Sequence, residues 1–288
     1  MRYLFGVTII WAFSFSLIGV YLSGNVDAWF SVLMRIGIAT ILFLPFLRLK
    51  DIKRETIVKL IGIGSIQLGL MYCSYFQSFN FLTVPEVLLF SVLTPIYITL
   101  LNDILTKRFH SVHLFTALIA VLGAAYIQYS SVSEHVVLGF LITQGANLCF
   151  AIGQVAYKSV LKSTPELQNT PKYTIFGLFF IGAFLVALIA FFILGSTQKL
   201  PTTALQWAIL IYLGAVASGL GYYFWNKGVV KVNTGSLAIM NNALVPLGLI
   251  VNLVIWNKEA DLVKIIIGGS LIFSSLALNE YITKRIKY

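Results

Sequence analysis

From Tyr3 to near its last residue the chain is a succession of apolar runs about 20 residues long, joined by short polar links. About 20 apolar residues is the length an α-helix needs to cross the hydrocarbon of a bilayer. Only helices and closed barrels can do so, because lipid offers no partner to a bare backbone N–H or C=O. Barrel strands alternate apolar and polar positions over about 10 residues, and these runs do not alternate. The expected fold class is therefore all-α integral membrane. Charge supports it: Asp, Glu, Lys and Arg make up 10% of the 288 residues, against about 25% in a soluble domain. So few charges could not cover a water-exposed surface of this size.

Ten spans are expected, at 3–22, 29–47, 57–77, 84–103, 111–129, 137–157, 173–194, 204–225, 232–255 and 263–282. They use most of the chain and leave no soluble domain for separate chemistry. Arg2 ahead of an apolar run resembles a secretory signal, but the run outlasts a signal's apolar core and more spans follow. It is read as a retained first helix.

Lys and Arg orient the bundle. With the N-terminus inside, 16 of the 20 fall in cytoplasmic segments; Lys199, Lys258 and Lys264 fall outside, and Arg35 lies within a span. Both termini are therefore expected in the cytoplasm, with the chain in the bacterial inner membrane. The net charge of +10 is accounted for by topology, with no nucleic acid as partner. Cys73 and Cys149 both fall inside spans, which argues for packing and against a disulfide or zinc site.

The fourth span, TVPEVLLFSVLTPIYITLLND at 83–103, carries an acid, Glu86, and a helix-breaking Pro95. An acid in hydrocarbon is costly, and a transmembrane proline frees a carbonyl that a neighbour must satisfy. Both features suit the wall of a substrate pathway better than a lipid-facing strut. The motif recurs: FSVLTP at 90–95 corresponds to NNALVP at 241–246, and aromatic-rich helix ends precede each, YCSYF at 72–76 and YYFW at 222–225. Five spans per half invert the second half relative to the first. The chain thus divides into two inverted five-helix repeats, 1–130 and 136–288, a plan that puts binding sites at the midplane.

The stretch SGLGYYFWNKGVVKVNTGSLAIMNNALVPLGLIVNLVIWNKEA at 218–260 resembles the second-half signature of the EamA family of drug/metabolite transporters. Trp11, the arginine in LMRIGIATILFLPF at 33–46 and the Pro95 helix agree in the first half. The resemblance covers the whole chain. It implies a secondary exporter or exchanger of small metabolites, closest to the branch that moves carboxylates, amino acids and amines. Two departures stand out. Where family members carry Gly-Glu after each proline helix, this chain has Asn102-Asp103 and Asn257-Lys258-Glu259, and Glu86 replaces a small residue.

Arg35 and Glu86 lie at comparable depth in the spans and form a candidate charge pair for substrate or proton coupling; a static salt bridge is the plainer alternative. Gln144, Asn147, Ala151, Gln154 and Lys158 step by three and four, so they share one face of the sixth helix, and the three amides are expected to line a cavity. Asn241 sits one turn before Pro246 and either contacts substrate or satisfies carbonyls that the proline frees. Trp11, Tyr75 and Tyr222 are ring-bearing candidates for the same cavity. His110 and His113 lack a third ligand, so no metal is expected, and no cofactor motif is found. Without a Walker, HExxH or nucleophile-elbow pattern, the chain reads as a non-enzyme carrying a small-molecule substrate by alternating access. The rival readings are an intramembrane enzyme acting on lipid-linked substrates and a passive channel. A homodimer is compatible with the sequence and not required by it.

Overall fold

The computed structural model describes residues 1–50, 52–128, 136–256 and 262–286. Among them the chain is helical, with no strand. Its long rods are α1 (Arg2–Leu22), α2 (Ala28–Phe46), α3 (Arg54–Ser78), α4 (Val84–Ser91 with Thr94–Thr106), α5 (Ser111–Gln128), α6 (Val136–Ser163), α7 (Lys172–Leu194), α8 (Ala204–Val229), α9 (Thr234–Trp256) and α10 (Leu262–Ile286). Nine of the described rods are long and apolar enough to cross a membrane; in α5 the apolar stretch is the shorter Ser111–Tyr126. The ten expected spans thus appear as nine candidates and one shorter apolar helix. Residues 257–259, the second-half part of the Gly-Glu departure from the family pattern, lie outside the described residues.

Local chemistry sets the helix starts. Asp27 accepts from the Phe30 N–H at 2.7 Å ahead of α2, and Asn233 accepts from the Ser236 N–H at 2.8 Å ahead of α9. Thr203 and Gln206 form a capping box at α8, satisfying N–H groups that the first turn leaves without partners. α6 runs six residues past its expected end, to Ser163, just before Pro165. Its last turns carry Lys158 and Lys162, whose long stems reach out of hydrocarbon.

The two halves interlock. α1 packs on α8 and α9, α2 on α7 and α8, α3 on α6 and α7, and α4 on α6 and α9. α5 and α10 pair with each other and close a smaller core containing Val92, Ala124, Ile239 and Val245. In lipid the hydrophobic effect does not drive helices together, so close backbone approach matters instead. A side chain at Gly64 would meet the Phe179 carbonyl oxygen at 2.2 Å, which brings α3 against α7. A side chain at Gly214 would meet the Arg35 carbonyl oxygen at 2.9 Å, which brings α8 against α2. Outward residues such as Phe192, at 78% exposure, and Val254, at 75%, are apolar, as a lipid-facing surface requires.

The repeat seen in the sequence is also visible in the backbone. α3 and α8 each widen into a π-helical stretch, Ser65–Leu70 and Tyr212–Leu220, and return to α-helix at Met71 and Gly221, where the aromatic clusters begin. α4 breaks at Val92 and Leu93, ahead of Pro95, and α9 breaks at Ala243, ahead of Pro246.

Candidate functional site

The turns that follow the two widened stretches, together with the two breaks, surround a cavity of about 100 Å³ in the middle of the bundle. α1 contributes Trp11, α2 Arg35, α3 Tyr72 and Tyr75, α6 Asn147, α8 Tyr222 and Trp225, and α9 Asn241. Aromatic rings form a large part of the wall. Trp11 meets Tyr222 at 4.9 Å and Trp225 at 4.7 Å between ring centroids, and Tyr222 meets Tyr72 at 5.9 Å. The Trp11 indole N–H donates to the Ala217 carbonyl at 2.8 Å, a carbonyl of the π-helical stretch in α8. Wider turns of this kind leave carbonyls for side chains to use and recur at functional sites.

Arg35 is 2% exposed. Its guanidinium carbon sits 4.1 Å from the Tyr72 ring centroid, an arrangement that aromatic quadrupoles favour. Nε donates to Ser218 Oγ at 2.6 Å, and Ser218 shares a 2.9 Å hydrogen bond with the Tyr72 hydroxyl. Nη1 is buried without a partner among the described residues, as are the Tyr75 hydroxyl and the Trp225 indole N–H on the same wall. No carboxylate lines the cavity among the described residues. A buried cation without a counter-charge is costly, so this arrangement suits a ligand that brings the anion with it.

Glu86 is not that counter-charge. Its Oε2 accepts from the Thr83 N–H at 2.8 Å and the Thr83 hydroxyl at 2.9 Å, forming the capping box that starts α4. Arg35 and Glu86 therefore sit in separate settings, and no ion pair joins them among the described residues. The reason is local: three residues is the reach of a capping box, so Thr83 competes first for the acid.

The amides of α6 divide. Asn147 lines the cavity, and its Nδ2 donates to the Phe90 carbonyl at 2.9 Å and to Gln144 Oε1 at 3.1 Å. Gln144 lies off the cavity wall; it donates to the same Phe90 carbonyl at 3.1 Å and accepts from the Tyr97 hydroxyl at 3.1 Å. Gln154 is fully buried away from the cavity, and its amide has no partner among the described residues. Asn241 lines the cavity while donating to Leu237 of its own helix at 2.8 Å. Sequence reasoning missed Ser218, which holds Arg35 and Tyr72 together. Its place at the head of SGLG, just ahead of two glycines and the aromatic cluster, was the available signal.

A model of the EamA-like transporter family matches residues 2–129 and 137–281. The chain belongs to that family. It is 47% identical over 280 residues to a probable biotin transporter of Pseudomonas aeruginosa, covering 97% of each chain. It is 48% identical over 277 residues to proteins named biotin transporter in Salmonella typhimurium and Escherichia coli K12, covering 96% of this chain and 91% of theirs. A crystal structure superposes with a TM-score of 0.77 over 98% of each chain at 19% identity, which shows a shared fold. This EamA chain is thus a multi-pass membrane protein of a small-metabolite transporter family, and its relatives are transporters, not enzymes.

Proposed function

We propose that the chain carries biotin, or a closely similar ring-bearing carboxylate, across the membrane through the central cavity. The single observation that carries this reading is Arg35: a buried guanidinium with a free N–H, set on an aromatic wall that holds no carboxylate among the described residues. Arginine is well suited to bind a carboxylate through two parallel hydrogen bonds, and the rings of Trp11, Tyr222 and Trp225 offer flat apolar surface to a ring system. The names of the relatives supply the candidate cargo. An amine cargo would find no counter-charge among the described residues of this cavity, and the comparisons lend no support to amino acids or amines. Alternating access follows if the halves 1–130 and 136–288, inverted with respect to each other, rock about the cavity, with both termini in the cytoplasm as the Lys and Arg bias indicates.

The test is counterflow of labelled biotin in proteoliposomes. The parent should show saturable flux, and Arg35→Gln should raise half-saturation roughly 10- to 100-fold, because a hydrogen bond to a charged group contributes about 1.5–3 kcal/mol. Biotin methyl ester, which lacks the anion, should compete poorly. Parental half-saturation in Arg35→Gln, or equal competition by the ester, would remove the basis for this assignment. Flux without saturation would indicate a channel, and turnover of a lipid would indicate an enzyme.

A further inference from the structure

A second cavity, of about 960 Å³, opens at one end of the bundle, where the α4–α5 and α8–α9 links meet the last turns of α6 and α10. That volume is in the range of small-molecule pockets, roughly 300–1,000 Å³. Its wall carries Lys158, Lys162, Lys231, His110 and His113 and no acid among the described residues. None of the three lysines has a carboxylate partner within ion-pair distance among those residues. Lys158 Nζ donates to the Val232 carbonyl at 2.7 Å, which uses one of the three donors of an ammonium group. The acids behind this wall are engaged elsewhere. Asp103 takes the His110 ring Nδ1 at 2.7 Å and its backbone N–H at 3.0 Å, and Glu280 is held by Asn233 and Ser236. The vestibule is therefore a concave surface of one sign, the geometry that concentrates anions.

It also lies on the helix that leads to the central site. α6 contributes Asn147 to the central cavity and Val155 and Lys158 to the vestibule. The 11 residues from Asn147 to Lys158 span roughly 16 Å at 1.5 Å per residue. The connecting segments that meet here are among those whose Lys and Arg assign them to the cytoplasm.

We propose that this vestibule is a second, weaker anion site that holds the carboxylate of the permeant on the cytoplasmic side of the central cavity. This rests on the cargo reading above. The chemistry it recognises, an anionic group, could also be offered by a lipid headgroup, since the exposed Phe109 and Leu105 border the cavity. The continuity with Asn147 through α6 favours the permeant.

Equilibrium binding of labelled biotin to the whole chain in phosphatidylcholine nanodiscs tests it. The parent should bind two biotins per chain, one tightly and one weakly. Weak binding should fall roughly tenfold or more between low and physiological ionic strength, because solvent-open charges are screened. The triple variant Lys158→Gln, Lys162→Gln, Lys231→Gln should lose the weak site and keep the tight one within twofold; that retained site shows the variant is folded. Arg35→Gln should do the reverse, and a triple arginine variant should keep both sites. A parent with the tight site alone, or a triple variant that keeps both, overturns the vestibule site and leaves the cargo reading standing. A parent with no biotin site overturns both. If cardiolipin in the nanodisc displaces the weakly bound biotin and the triple variant no longer retains cardiolipin, the headgroup is the occupant and the inference falls.

Discussion

The two interrupted helices begin from corresponding motifs and satisfy their backbones in different ways. At the α4 break every carbonyl of the FSV segment has a side-chain donor. Phe90 receives Gln144 and Asn147 from α6, Ser91 receives the Thr94 hydroxyl at 2.7 Å, and Val92 receives Asn242 from α9 at 3.1 Å. At the α9 break Asn241 bonds back to Leu237, Asn242 is committed to α4, and Val245 stands where α4 has Thr94. Among the described residues no side chain donates to the carbonyls of 241–243. The first break is clamped by side-chain donors from α6, α9 and α4 itself, whereas the carbonyls of the second receive none among the described residues, and its tie to α4 runs through Asn242 alone. Under the alternating-access proposal one wall is held and one yields, and this asymmetry points to α9 as the yielding wall.

The comparison fails first, and by the largest amount, if the clamp does nothing. Replacing Gln144 and Asn147 together by leucine leaves the Phe90 carbonyl bare, at a cost of about 1–3 kcal/mol for a buried unsatisfied group. Thermal melting in micelles should show the pair well below parent; an unchanged melting temperature would mean the clamp is not structural. Asn242→Leu removes a bond between the halves, and such bonds average about 0.6 kcal/mol in membrane proteins. It should lower melting slightly while speeding biotin counterflow, since it loosens the fixed wall from the mobile one; slower flux would reverse the assignment. Asn241→Ala should move melting less than Asn242→Leu, because the Leu237 carbonyl it caps also lies within the helix. Val245→Thr sharpens the contrast in the other direction: a hydroxyl cap on α9 should stabilise by a few tenths of a kcal/mol and slow counterflow. Glu86→Gln is expected to have the smallest effect, since glutamine serves a capping box as glutamate does; a large loss of flux would restore Glu86 as a coupling residue.

Much of this was legible in the chain itself. Unbroken apolar runs dictate membrane helices because the backbone has no other partner in lipid. FSVLTP and NNALVP announced paired breaks because proline cannot donate and crowds the preceding turn. The polar stripe of α6 was readable from its three-and-four spacing, but spacing gives a face and not what the face meets. Asn147 reached the cavity, Gln144 went to a carbonyl, and Gln154 was buried beyond it. The pairing of Arg35 with Glu86 was a depth argument, and depth along the normal says nothing about the angle around each helix.

The sequence by itself determined the solvent, the helical class, the two-part repeat and the sites of the breaks, because each follows from what a single segment must do for its own backbone. Only the tertiary structure decided that Arg35 would share Ser218 with Tyr72, that Glu86 would cap its own helix, and that amides from the second half would serve the first half's break. Those outcomes depend on which helix faces which, and that is set by close contacts such as Gly214 against Arg35 and Gly64 against Phe179. Packing of this kind joins residues more than 100 positions apart, and no local pattern encodes it.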